Sequence, residues 1–92
     1  MLDLAYTSQF KKDMKRKKKQ GASIEKIDEA ILALRKGEVL PDKYRDHALA
    51  GVYNEHRECH IEPDWLLIYR VDKGQLVLTA VRTGSHSELF GL

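Results

Sequence analysis

The chain predicts an α+β domain: an N-terminal strand, an antiparallel pair of helices, then an antiparallel meander of three strands, with the helices packed on one face of the sheet. Three observations carry that prediction. Apolar residues recur at helical spacing from Ile24 to Leu34, they alternate or run unbroken in short segments after Gly51, and glycine- and proline-containing turns separate these segments. A chain of 92 residues is expected to form a single domain, 1–92, near the size at which one core just offsets the entropy of folding.

Leu2, Leu4 and Tyr6 alternate with polar neighbours, as in a short half-buried strand. Thr7 and Ser8 offer an N-cap for a helix from Gln9 to Gln20 that ends at Gly21. Its apolar face is thin, with Phe10 and Met14 one turn apart, so its order must come from packing. Ser23 opens a second helix whose stripe of Ile24, Ile27, Ile31 and Leu34 is core-like, and Gly37 closes it. Glu38 to Ala50 reads as a loop ending at Gly51, and Val52 to Ile61 alternates as a strand. A turn at Glu62-Pro63-Asp64, which reads as buried, leads to Trp65–Val71, apolar enough on both faces for a central strand. Asp72-Lys73-Gly74 makes a tight hairpin into Gln75–Arg82, and Thr83-Gly84-Ser85 leaves a tail with His86, Leu89 and Phe90.

Composition excludes several classes. Hydrophobic residues at 42% and charged residues at 33% are ordinary for a globular protein, and there is no apolar run long enough for a membrane span. The first residues carry Asp3 and no apolar h-region, so no signal peptide is expected, and a lone cysteine allows no internal disulfide. A cytoplasmic location, with no membrane partner, is the expectation. The net charge of +2 conceals an uneven distribution, because seven of the sixteen Lys and Arg residues lie between Lys11 and Lys19. Such a run is either a solvated helix face or an arm that meets phosphates.

Chemistry concentrates between Tyr44 and Asp64, which hold three of the four histidines and the only cysteine. His56, Cys59 and His60 resemble metal ligands until placed on a strand. At roughly 3.3 Å per residue the two histidines stand about 13 Å apart, and Cys59 faces the other way. No metal and no cofactor are therefore expected. Cys59, beside Ile61, reads as a small core residue, and Ser85 and Ser87 lack the surroundings of a nucleophile elbow. Acid-base work asks for less: His60 ends one strand, Asp64 begins the next, and the meander returns Arg82 and His86 to the same edge. Only His47 needs its loop to reach them.

The substrate follows from charge. Lys11, Lys12, Lys15, Arg16, Lys18 and Lys19 suit phosphates, Arg82 suits a charged phosphorane, and Trp65 and Phe90 are candidate stacking platforms for bases. Single-stranded RNA fits best, since its 2′-hydroxyl is an internal nucleophile that a protein need only position, deprotonate and follow with a proton for the leaving oxygen. His60 and Asp64 are expected near the 2′-hydroxyl, with His86 or His47 protonating the leaving oxygen; which is base and which is acid stays open. A non-catalytic RNA- or ribosome-binding protein is the alternative, in which the histidines have no work.

The segments YRDHALAG (44–51), RECHIEPDWLLIY (57–69) and RTGSHSELFG (82–91) closely resemble the YafQ branch of the RelE superfamily of type II toxins, and the order of elements agrees throughout. The resemblance implies the RelE-like microbial RNase fold and an endonuclease that cuts ribosome-bound mRNA and thereby inhibits translation. It implies further a cognate antitoxin that holds the enzyme inactive, the complex binding operator DNA through the antitoxin. The motif's catalytic positions fall on His47, His60, Asp64 and His86, with Phe90 as an aromatic at the site; His56 has no counterpart. Where the family has a tryptophan beside its loop glycine, this chain has Val52-Tyr53. A gyrase-targeting relative on the same fold would leave the histidine set unexplained.

Overall fold

Thr7 decides where the first strand stops and the first helix starts. In the computed structural model, which describes residues 1–91, its hydroxyl donates to the Val81 carbonyl at 2.6 Å and accepts from the Phe10 amide at 2.9 Å. Strand β1 (Asp3–Tyr6) thus gives way to α1 (Ser8–Lys19), and α2 (Ile24–Arg35) follows after a short link. The stripe predicted in α2 is buried at Ile27, Ala30, Ile31 and Leu34. On α1 the inward positions are Phe10, Asp13 and Lys17. Two of these are charged, which is why the helix looked almost without a core face.

Both charges have partners. β1 ends at Tyr6 while β5 (Val77–Gly84) runs on, leaving the edge of β5 without a neighbour. Asp13, 1% exposed, fills that gap, accepting from the Thr83 amide at 3.2 Å and from Arg82 Nε and Nη2 at 2.9 and 3.1 Å. Lys17 lies with Nζ 5.5 Å from the centre of the Trp65 ring.

The sheet has five strands in the order β1-β5-β4-β3-β2, where β2 is His47–Ala48, β3 Arg57–Glu62 and β4 Trp65–Asp72. The expected meander is β3-β4-β5; β1 joins it parallel to β5, and β2 pairs antiparallel with β3. β4 explains the unbroken apolar run, because it is buried on both sides. Trp65, Leu67 and Tyr69 join Cys59, Leu78, Ala80 and the helix residues in the main core. Leu66 and Ile68 face the other way, against Leu89, Leu49, Tyr53 and Val81.

Five local expectations are corrected. The strand expected from Val52 begins only at Arg57; Gly51–Tyr53 is a 3-10 turn, with φ of 67° at Gly51 and 68° at Glu55, and Val52 is 96% exposed. Apolar alternation there came from a solvated valine. The loop before it contains β2, whose two residues are too short for any period to register. Past β4 the connection is a four-residue loop, 73–76, closed by the Gln75 amide on Asp72 Oδ1 at 3.0 Å. The tail is a helix, α3 (His86–Phe90), started by a capping box in which Ser85 and Glu88 exchange hydrogen bonds. The Pro63–Asp64 turn, read as buried, is exposed. Among the described residues no helix is long and apolar enough to cross a membrane.

Candidate active site

Register across the sheet assembles the site on the face away from α1 and α2. His47 pairs with Glu58, Glu58 with Ile68, and Ile68 with Arg82, so these four residues form one row on one face. His60, Leu66 and Gly84 form the next row on the same face. His47 is therefore delivered by a strand, and no long reach of a loop is needed. His86 follows because Gly84 lets α3 fold back closely: a Cβ there would stand 3.1 Å from Glu88 Oε1 and 3.3 Å from Glu88 Cβ.

The result is a line of three imidazoles. Ring centres of His47 and His60 are 6.4 Å apart, and those of His60 and His86 are 5.6 Å apart. Asp64 closes the line, accepting from the His86 backbone amide at 2.9 Å and from His86 Nδ1 at 2.6 Å. Those two contacts, the amide first, hold the exposed Asp64 carboxyl below the usual carboxylate range, so at neutral pH it can only accept. His86 Nδ1 therefore carries the hydrogen. The same reasoning fixes His47, whose Nδ1 is 2.7 Å from the Arg45 carbonyl, an acceptor with no hydrogen to give. Each outer histidine, when neutral, thus has its lone pair on Nε2. In His47 that nitrogen lies 3.7 Å from Glu58 Oε1. Between them, His60 Nδ1 is the buried side-chain nitrogen or oxygen without a hydrogen-bond partner among the described residues. A polar atom left so costs about 1–3 kcal/mol, which a purely structural position would shed.

The other predicted residues divide. Phe90 is 39% exposed, with its ring perpendicular to that of Tyr53 at 6.2 Å. Tyr53 joins the site through the fold alone, which brings it beside Phe90 and Arg82; nothing in its local sequence signals that place. Arg82 lies on the site face, but its Nε and Nη2 are taken by Asp13; that hydrogen bond, with a further one to Tyr53, raises its hold on its proton. Trp65 is corrected outright: it is 2% exposed on the opposite face, its Nε1 donating to Thr83 Oγ1 at 2.8 Å, and no base can stack on it. Of the lysine run, Lys11, Lys12, Lys15, Lys18 and Lys19 are exposed. Arg16, also exposed, is 3.1 Å from Glu88 of α3. Cys59 is fully buried and burial pushes its thiol up to about 12, as expected of a core residue and not of a nucleophile. His56 hydrogen-bonds the Asn54 carbonyl at 2.9 Å and stands outside the line of imidazoles.

Known proteins are similar to this chain in sequence and in fold. The mRNA interferase toxin YafQ of Escherichia coli K12 is 38% identical over 91 residues, covering 97% of this chain and 96% of that protein. A metal-bound toxin from Helicobacter pylori superposes with a TM-score of 0.93 at 40% identity, over 98% of this chain and all of the other. The toxin in the Escherichia coli DinJ-YafQ toxin-antitoxin complex does so with a TM-score of 0.88 at 36% identity, over 98% of each chain. The family of bacterial toxins of type II toxin-antitoxin systems known as YafQ matches residues 2–91, and the chain belongs to it.

Proposed function

We propose that the protein is a ribosome-dependent, metal-independent mRNA endoribonuclease that inhibits translation and is neutralised by a cognate antitoxin. The observation that carries the chemistry is the line His47–His60–His86–Asp64, with two histidines of fixed tautomer flanking one whose buried nitrogen is unpartnered. The name of the Escherichia coli relative and the DinJ-YafQ complex support the substrate class and the antitoxin.

In this reading the 2′-oxygen attacks the adjacent phosphorus, its proton passes to a histidine, and the bond from phosphorus to the 5′-oxygen breaks as a second histidine protonates that oxygen. His47, whose Nδ1 is anchored on a carbonyl so that the neutral ring has its lone pair on Nε2, suits the base. His86, oriented by Asp64 as an imidazole is by a buried carboxylate in hydrolases, suits the acid. Asp64 acts through His86 and does not touch the 2′-hydroxyl. His60 sits between them where the phosphoryl group crosses the line, with Arg82 on the same face to meet charge on the phosphorane. Phe90 supplies the exposed ring for a neighbouring base. The exposed Lys11, Lys12, Lys15, Arg16, Lys18 and Lys19 meet ribosomal RNA phosphates on another side of the molecule.

The products test it. Cleavage of ribosome-bound mRNA is expected to leave a 2′,3′-cyclic phosphate or 3′-phosphate and a free 5′-hydroxyl, and a 2′-deoxy substitution at the cleaved nucleotide should abolish it. A 5′-phosphate product, or a rate that falls with a chelator selective for transition metals, overturns the mechanism. The metal-bound Helicobacter pylori relative makes the chelator arm worth running.

A further inference from the structure

His47 stands on the shortest strand of the sheet. β2 has two residues, paired with Glu58 and Arg57 of β3, and so short a strand has little pairing of its own with which to fix a side chain. The residue before it, Asp46, reaches to the helix-covered face, the opposite one from His47. There it accepts from the Tyr69 hydroxyl, 2.8 Å from Oδ1 and 2.7 Å from Oδ2, and from Arg57 Nε at 3.0 Å. Tyr69 and Arg57 are cross-strand partners in β4 and β3, and Arg57 in turn pairs with Ala48, so a hydroxyl two strands away is tied to β2. Tyr69 is 2% exposed in the main core, and Asp46 is half-buried. Burial first, and then the Asp46 carboxylate, hold the tyrosine hydroxyl well above its ordinary value, so it stays a donor. Arg45 links this anchor to His47. Its backbone is left-handed, with φ of 48° and ψ of 43°, a conformation that a residue other than glycine keeps only where its surroundings hold it. On one side the Arg45 amide donates to the Asp42 carbonyl at 3.0 Å, and on the other the peptide unit that carries the Arg45 carbonyl ends at Asp46. That carbonyl is the acceptor 2.7 Å from His47 Nδ1.

We infer that Asp46 and Tyr69 are positioning residues for His47: held from the core face by Tyr69 and Arg57, Asp46 fixes the Arg45 carbonyl and, through it, the tautomer and direction of the imidazole. The catalytic consequence rests on the ribonuclease reading; the anchor itself does not. An imidazole whose Nδ1 acceptor drifts can carry its hydrogen on either nitrogen, and only the ring with a free Nε2 can take a proton there. Without the Tyr69 hydroxyl, Asp46 keeps Arg57, whose own side chain is exposed and so holds it loosely. Neither Asp46 nor Tyr69 touches the RNA; both act from the other side of the sheet, through one peptide unit.

Two measurements on the full chain test this. Tyr69→Phe removes the hydroxyl and keeps the ring in the core, so the fold is preserved. In the first measurement, long-range proton–nitrogen spectra of the histidine rings, taken at a pH where the imidazoles are neutral, read the tautomer with no RNA present. The parent should show His47 with its hydrogen on Nδ1. Tyr69→Phe and Asp46→Ala should show a mixture of tautomers, and Asp46→Asn, which can still accept from Tyr69, should stay closer to the parent. The same His47 tautomer in parent and variants overturns the inference. In the second, cleavage on ribosomes, Tyr69→Phe should lower kcat about tenfold with KM unchanged, the worth of one hydrogen bond to a charged group. Added to His47→Ala, it should lower the residual rate no further; an equal further loss would mean that the hydroxyl serves the fold as a whole, and overturns the positioning role. An unchanged kcat overturns that role while leaving the ribonuclease reading intact. A parent that cleaves nothing overturns the ribonuclease reading, and the spectra still decide whether Asp46 and Tyr69 set His47.

Discussion

On the face covered by α1 and α2, the strands turn Cys59, Trp65, Leu67, Tyr69, Leu78 and Ala80 into a dry core in which polar atoms such as Trp65 Nε1 have partners. On the opposite face the same strands present Glu58, His60 and Arg82, with His47 and His86 brought alongside, over a small cluster of Leu66, Ile68 and Leu89. The first face is large, apolar and satisfied. The second is open and keeps His60 Nδ1 unpaired. The contrast separates the work of holding the fold from the work of reacting, and β4, buried on both sides, belongs to each.

Substitutions should therefore divide by face. His60→Ala and His86→Ala are expected to slow cleavage of ribosome-bound mRNA by about 10²–10⁴-fold while shifting unfolding free energy by less than about 1 kcal/mol. A matched loss of stability in denaturant melts would return these residues to the structural side. Next in size, Trp65→Ala should cost about 3–5 kcal/mol, a large share of the stability of a domain this small. Trp65→Phe should keep KM for RNA unchanged, whereas a raised KM would restore the ring to the binding surface.

Asp13 links the two faces through Arg82, and Asp13→Asn should cost about 2–3 kcal/mol, less than the roughly 3–5 kcal/mol for breaking a fully buried pair because Arg82 is partly exposed. Burial pushes the Asp13 carboxyl up, but hydrogen bonds from Arg82, Gln9 and the Thr83 amide outweigh it and hold the group below its ordinary value. Its stabilisation is therefore fully present above the unfolded carboxylate value of about 4 and is lost as pH falls through the lower folded value. Acid titration of the parent should show that loss, and Asp13→Asn should flatten the limb; an unchanged limb would mean that other carboxylates dominate acid unfolding. Smaller than the Trp65 and Asp13 effects is Ser85→Ala, about 1 kcal/mol for the lost cap. Because α3 carries His86, its effect on kcat should exceed its effect on the melt, and equal proportional effects would argue that α3 serves only as cover.

The helix-face core was largely legible in the order of residues. The Ile24–Leu34 stripe and the apolar run from Trp65 state their burial locally, because helix and strand periods are short and each residue reports its own preference. Where exposure broke that link, as at Val52, the reading failed. The capping box, serine at 85 and glutamate at 88, is the sequence signal that marks the start of α3.

The site was legible as a list of residues and not as a geometry. Motif and residue type singled out His47, His60, Asp64 and His86. That His47 arrives on a two-residue strand, that Trp65 is walled into the core while Tyr53 takes a place beside Phe90, and that Asp13 clamps Arg82 were settled by pairing across the sheet. Local chemistry along the chain was enough to decide that Ser8–Lys19 and Ile24–Arg35 become helices and Trp65–Asp72 a central strand, and which side chains can exchange protons. Who faces whom depends on strand register, on where β1 ends and on how closely Gly84 lets α3 return, and those are contacts between residues far apart in the chain.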